Sequence, residues 1–138
     1  KLFEFLADHS TIEFSLLSVD LLQEDGSRYT CSILTTSFSS EGDDYGSELS
    51  HQFIESLITH THNHPKGYIA PSSPLTNPDY QGLNDRDFSN AIKQNNPGCR
   101  FFIYGEYQKG GEYREYNGEN EGVRTRSKFN KEKIYTIQ

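Results

Sequence analysis

Ile12-Glu13-Phe14-Ser15-Leu16-Leu17-Ser18-Val19-Asp20-Leu21-Leu22 is the stretch from which the fold is read. Its apolar residues occupy both alternating sets, Ile12, Phe14 and Leu16 in one, Leu17, Val19 and Leu21 in the other. A strand with apolar side chains on both faces needs material packed on both, so residues 12–22 are expected to form a central strand. Downstream, Asp25-Gly26 is a tight-turn signal, and residues 28–38, with Tyr29, Cys31 and Ile33 on one side, are expected to return antiparallel. Upstream, Leu2, Phe3, Phe5, Leu6 and Ala7 recur at spacings of three and four, the stripe of a short helix that ends near His9-Ser10.

Residues 39–46 are small, polar and acidic and read as a loop. Phe53, Ile54, Leu57 and Ile58 lead into a strand through His60-Thr61-His62. Four of the five prolines, Pro65, Pro71, Pro74 and Pro78, fall in residues 65–84, which lack periodicity and predict one long surface loop. Loops of that length in a compact domain usually carry function. Asp85 opens a predicted helix with Phe88, Ala91 and Ile92 on one side, stopped by Asn95-Asn96-Pro97-Gly98. A hairpin is expected from Arg100 to Tyr116 around Lys109-Gly110-Gly111. Residues 117–128, rich in Gly, Glu and Arg, read as mobile chain, and 133–138 as an edge strand. The pattern specifies an α/β fold with a mixed, largely antiparallel central sheet flanked by helices, and 138 residues fit one domain, 1–138.

Composition narrows the class further. Only 33% of residues are hydrophobic, yet 9 Phe and 9 Tyr provide the apolar bulk of a core. No apolar run approaches the roughly 20 residues that cross a bilayer, so no membrane segment is expected. Thirteen basic against twenty acidic side chains give a net charge of −7, which repels phosphate backbones and makes nucleic acid an unexpected partner. Cys31 and Cys99 are too few for a disulfide framework and read as small apolar fillers. With Lys1 first and no Met anywhere, the chain is expected to be the C-terminal part of a longer protein.

The chemistry concentrates in His60, His62 and His64, three of the five histidines, alternating so that all three imidazoles leave one face of a strand. Two imidazoles at that spacing reach one ion at ~2.0–2.1 Å, and a carboxylate from elsewhere completes three protein ligands with a fourth position open for water. A chance histidine run on a surface strand is the plainer alternative.

His62-Asn63-His64-Pro65, then a loop with Pro71-Ser72 and a helix opening on Asp, resembles the His-x-His-Pro…Ser-x-x-Asp motif of the JAB/MPN zinc metallopeptidases. With the Asn between the histidines and the aromatic strand Phe101-Phe102-Ile103-Tyr104, it is most similar to the JAB-like toxin domains at the C-terminal ends of RHS-repeat polymorphic toxins. The resemblance implies JAB/MPN-like layers, related to those of cytidine deaminases, and a Zn2+ cofactor. His62 and His64 are the implied metal ligands, Glu13 the general base, and Ser72, or its neighbour Ser73, the group that stabilises the oxyanion. No Ser-x-x-Asp follows the histidines, since Thr76, Gly82 and Asn84 stand three residues before Asp79, Asp85 and Asp87. Asp85 is the favoured third ligand because Phe88 and Ile92 anchor its helix, with Asp87 and Asp79 as alternatives. Because Pro65 fixes the motif on the later pair, His60 is expected in a supporting or core role.

The resulting expectation is a zinc-dependent amide-bond hydrolase, a peptidase or isopeptidase acting on protein or peptide. It would serve as the toxin domain of a secreted effector delivered into a target cell and be matched by a cognate immunity protein. A metal-dependent nuclease toxin and a non-catalytic JAB-like binding module are the alternatives.

Overall fold

The computed structural model describes residues 2–65, 71, 84–106, 111–119 and 121–126. Chain order is α1 (Leu2–His9), β1 (Ser15–Leu22), β2 (Arg28–Thr35), α2 (Asp44–Gln52), β3 (Leu57–Asn63), α3 (Asp85–Asn95), β4 (Arg100–Glu106), β5 (Gly111–Tyr116) and β6 (Glu121–Arg126). The strands form one sheet in the order β2-β1-β3-β4-β5-β6. Only β3 and β4 run parallel, joined by the segment that contains α3, and every other neighbouring pair is antiparallel. This is the mixed, largely antiparallel α/β sheet expected from the sequence. Among the described residues no helix is long and apolar enough to cross a membrane.

The two apolar sets of the opening strand serve two layers. Phe14 packs with Phe3 and Tyr104, joined by Leu6, Ala7 and Leu16, beneath α1. Two phenols fasten that helix, Tyr104 donating to Asp8 at 2.8 Å and Tyr113 to Glu4 at 2.7 Å. Leu17 and Val19 enter the larger core on the opposite face with Leu57, Phe88, Ile92, Cys99, Phe101, Ile103 and Tyr116, against which Leu49 and Phe53 pack. The aromatic strands β4 and β5 therefore supply both faces. Cys99 is a buried free thiol, in keeping with a filler.

Four boundaries differ from the reading of the sequence. β1 starts at Ser15 rather than Ile12, because the backbone before it is held by loop and side-chain partners instead of a regular ladder. β2 stops at Thr35, after which the chain turns through Phe38 at φ 57° and returns Ser39 to Glu13. Residues 44–52 form α2 where the sequence offered no helical stripe. Gly46 lets this helix lie directly on β1, since a Cβ there would fall on Ser15 Oγ and within 2.8 Å of an Asp43 carboxylate oxygen. Residues 121–126, read as mobile chain, pair with β5 as β6, for backbone hydrogen bonds do not require apolar side chains. The expected strand at 133–138 and the Lys109-Gly110 part of the turn lie outside the described residues.

Candidate metal centre

The centre is built where β3 ends. Ser15 pairs with His62 and Leu17 with His60, so both imidazoles share the face covered by α2 and α3. His64 follows the strand, its N–H bonded to the Tyr104 carbonyl at 3.1 Å, which keeps the alternation going for one more residue. Asn63 points to the other face.

Asp85 arrives from above on the first turn of α3. Asn84 caps that helix: its side-chain oxygen accepts from the Asp87 N–H at 3.0 Å and its amide donates to the Asp87 carboxylate at 2.7 Å. The cap occupies Asp87, while Asp85 is the carboxylate turned toward the histidines. Phe88 and Ile92, both buried, hold the helix against the core. Asp79 lies outside the described residues, as does Ser72.

Three side chains converge. His62 Nε2 and His64 Nε2 are 3.0 Å apart, His62 Nε2 is 3.2 Å from one Asp85 oxygen, and His64 Nε2 is 3.3 Å from the other. Around one small cation neighbouring donors stand about 3.3 Å apart, and the imidazole pair and each imidazole with its own Asp85 oxygen are spaced in that range. His62 is 3% exposed, whereas His64 and Asp85 are each 18% exposed, so solvent reaches the group from the side of His64 and Asp85. Among the described residues these three form the group able to hold a cation.

Without an ion, a proton must relieve the crowding. Burial works against a charged His62, but the Asp85 charge and hydrogen bond, with Glu13 and Asp43 behind them, outweigh it and push the imidazole to about 9. Burial likewise opposes an ionised Asp85, and His62 and His64 overcome it, holding the carboxyl well below its ordinary range. Because the His62 value rises from 6.5 on folding, the stability it contributes is complete below pH 6.5 and is lost as pH climbs through about 9. This amounts to on the order of 3 kcal/mol. Thermal melts in chelator should fall across that window, and saturating zinc should flatten the fall because the ion replaces the proton. A level profile in chelator would contradict the His62–Asp85 pairing.

Glu13 stands across from His64. The β1–β3 register pairs Ser15 with His62 and is continued by the Asn63 N–H bonding the Phe14 carbonyl at 3.3 Å, which sets Glu13 at the next rung on the histidine face. Its backbone is fixed on both sides, the N–H to Ser39 O at 2.7 Å and the carbonyl from Thr36 Oγ1 at 2.7 Å. Burial raises the Glu13 pKa, with Asp85 and Asp43 adding to the rise and His62 and His64 opposing it. A carboxylate shifted upward is a better proton acceptor near neutrality.

Two further residues escaped the sequence reading. Asp43, placed there in a loop, is 5% exposed and turns from the start of α2 to accept from Thr35 Oγ1 and, at 3.0 Å, from Ser37 Oγ. Its charge acts on both Glu13 and His62. Asn63, the middle residue of the motif, accepts from Phe14 N at 2.6 Å and donates to Ile12 O at 3.2 Å, stapling the chain on both sides of Glu13. Asn63→Ala leaves both backbone groups without these partners and is expected to cost about 2–4 kcal/mol in urea unfolding. A loss under 0.5 kcal/mol would show that the staple is dispensable.

His60 stays outside the His-His-Asp group. Its ring packs on Phe88 at 4.9 Å and Phe101 at 6.1 Å, and burial, with the neighbouring His62, depresses its pKa to about 3. It is a neutral core histidine, and neither nitrogen has a hydrogen-bond partner among the described residues.

A mixed α/β sheet with a His-His-Asp group able to hold a cation at the end of β3, beside the Glu13 segment that leads into β1, defines the class to which this domain is assigned. The family model of JAB-like toxin 1 matches residues 1–92, which include both histidines, Asp85 and Glu13. The chain belongs to the JAB-like toxin 1 family. No curated protein and no solved structure gives a significant match.

Proposed function

We propose that the domain is a zinc-dependent amide-bond hydrolase, a peptidase or isopeptidase acting on protein substrates as the toxin domain of an effector delivered into a target cell. The observation that carries the reading is the placement of Glu13 across from His64 in a His-His-Asp group whose neighbouring donor atoms lie 3.0 to 3.3 Å apart, with its carboxyl shifted toward proton acceptance. Held by His62, His64 and Asp85, zinc would acidify a water in the open position toward ~7 and polarise a carbonyl.

The chain's own residues do the rest. Glu13 takes the proton of the attacking water and delivers it to the departing amine, so that the amide C–N bond breaks with a neutral leaving group. Asp43 keeps negative charge behind Glu13 and favours the proton-bearing state between these two steps. Asp85 and the α3 cap hold the outer wall, while buried His62 excludes water from the inner one. Ser72 is the residue proposed to donate to the carbonyl oxygen as it becomes an oxyanion. A cell that produces such an activity requires a cognate immunity protein to block it.

The test is to incubate the zinc-loaded domain with a cell lysate and map new protein N-termini and released isopeptide-linked chains by mass spectrometry. The reading expects cleavage products with the parent and none in chelator. An intact proteome alongside nicked DNA or RNA would replace it with the nuclease reading.

A further inference from the structure

The two edges of the sheet differ in how they are guarded. β6 holds Glu121, Arg124 and Arg126 among its six residues, and its register with β5 shifts beside Arg114 and Tyr116. Charge and irregularity of that kind keep an edge from pairing with another chain. β2 stands at the opposite edge. It pairs with β1 without interruption from Arg28 to Thr35, contains no proline, and bears one charge, at its first residue Arg28. From Tyr29 to Thr35 it is uncharged and rich in β-branched and aromatic residues. The backbone pattern shows which groups face outward. The Gln23 N–H bonds the Ser27 carbonyl at 2.7 Å, so along the hairpin Tyr29, Cys31, Ile33 and Thr35 exchange their backbone bonds with β1. Arg28, Thr30, Ser32 and Leu34 therefore turn theirs away from the sheet, and among the described residues nothing meets them. Tyr29 is 46% exposed, Thr30 and Ser32 are exposed, and Cys31 and Ile33 are half-buried at the margin of the larger core.

We propose that β2 is a dimerisation edge: two copies of the chain join β2 to β2, antiparallel about a two-fold axis at Cys31, and make one continuous sheet. A second copy is the occupant because the edge is self-complementary. In that register Thr30 of each copy faces Ser32 of the other and Arg28 faces Leu34, so all four outward residues find backbone hydrogen-bond partners. The facing side chains include Tyr29 with Ile33 and Thr30 with Ser32. An aromatic with a β-branched residue and a hydroxyl with a hydroxyl are both stabilising cross-strand pairs. Charge sorts the ends as well. Each Arg28 is carried to the end of the other strand where Thr35 bonds Asp43, which is flanked in sequence by exposed Glu41 and Asp44. Residues that face each other in a ladder share a side of the sheet, so the side covered by α2 and α3 continues from one copy into the other. Both His-His-Asp groups then lie on the same side, and β1 separates the joint from the strand that carries the histidines. The inference does not rest on the metal or hydrolase readings.

Sedimentation equilibrium of the purified domain in chelator reads the association, over concentrations spanning the roughly micromolar range expected of a narrow interface. The parent should form dimers. Mild oxidation should cross-link them through Cys31, because facing residues of a non-hydrogen-bonded pair have Cα atoms about 4.5 Å apart. Ser32→Pro removes an outward N–H without touching the ladder to β1, and Thr30→Lys sets a charge in the joint. Each should weaken the dimer about 10-fold or more and keep the melting temperature that the parent shows in dilute solution. Should Ser32→Pro fail to fold, Thr30→Lys, which alters a side chain already exposed, carries the comparison. A parent that stays monomeric throughout the range overturns the proposal. So does a dimer that Thr30→Lys leaves as tight as the parent, or one that oxidation links through Cys99 and not Cys31.

Discussion

His62→Ala and His64→Ala chains should take up no zinc under conditions in which the parent takes one ion per chain. Each change removes one of three residues whose neighbouring donor atoms lie 3.0 to 3.3 Å apart. Two remaining donors make a weak chelate, so the loss should exceed the ~10–100-fold typical of an outer-shell partner. Asp85→Asn should behave in the same direction, because the amide keeps its place on α3 but loses the charge that draws the ion. Asp87→Asn is its control: the Asp87 carboxylate is engaged by Asn84, so zinc content should persist. Elemental analysis of the purified chains reads all four outcomes. Retention of zinc by Asp85→Asn together with its loss from Asp87→Asn would show that Asp87 and not Asp85 is the carboxylate ligand, and retention by His64→Ala would remove that imidazole from the ligand set.

Glu13→Gln should leave the fold and the zinc content intact and lower hydrolysis about 10²–10⁴-fold. The amide has nearly the same shape, and the anchors on the Glu13 backbone, Ser39 O and Thr36 Oγ1, do not involve its side chain. What is lost is the ability to accept a proton beside the His-His-Asp group. Toxicity of the Glu13→Gln domain equal to that of the parent at matched expression would favour a binding module over an enzyme.

These two expectations draw on features that the sequence carried to different degrees. The histidine pair and the Asp-led helix were readable, because alternation in a strand and the Phe88–Ile92 spacing are local patterns. The proposed choice of Asp85 over Asp87 draws support from the Asn84 cap, which engages the Asp87 carboxylate. Asp43 was hidden because α2 has few apolar residues and owes its helix to packing on β1 through Gly46. The true start of β1 was hidden for a related reason: periodicity does not distinguish a ladder from an extended segment held by the Asn63 side chain. Tyr116 became visible as a neighbour of His62 only when the register of three strands was known. The family resemblance supplied the role proposed for Glu13, which alternation alone leaves indistinguishable from an ordinary half-exposed strand residue.

The most direct measurement of the central claim is a crystal structure of the zinc-soaked domain with anomalous data at the zinc edge. The account predicts one ion at ~2.0–2.2 Å from His62 Nε2, His64 Nε2 and an Asp85 oxygen, with the Glu13 carboxylate within hydrogen-bond reach of the fourth position. Zinc bound elsewhere, or held by His62 and His64 with Glu13 turned away from the open position, would contradict it.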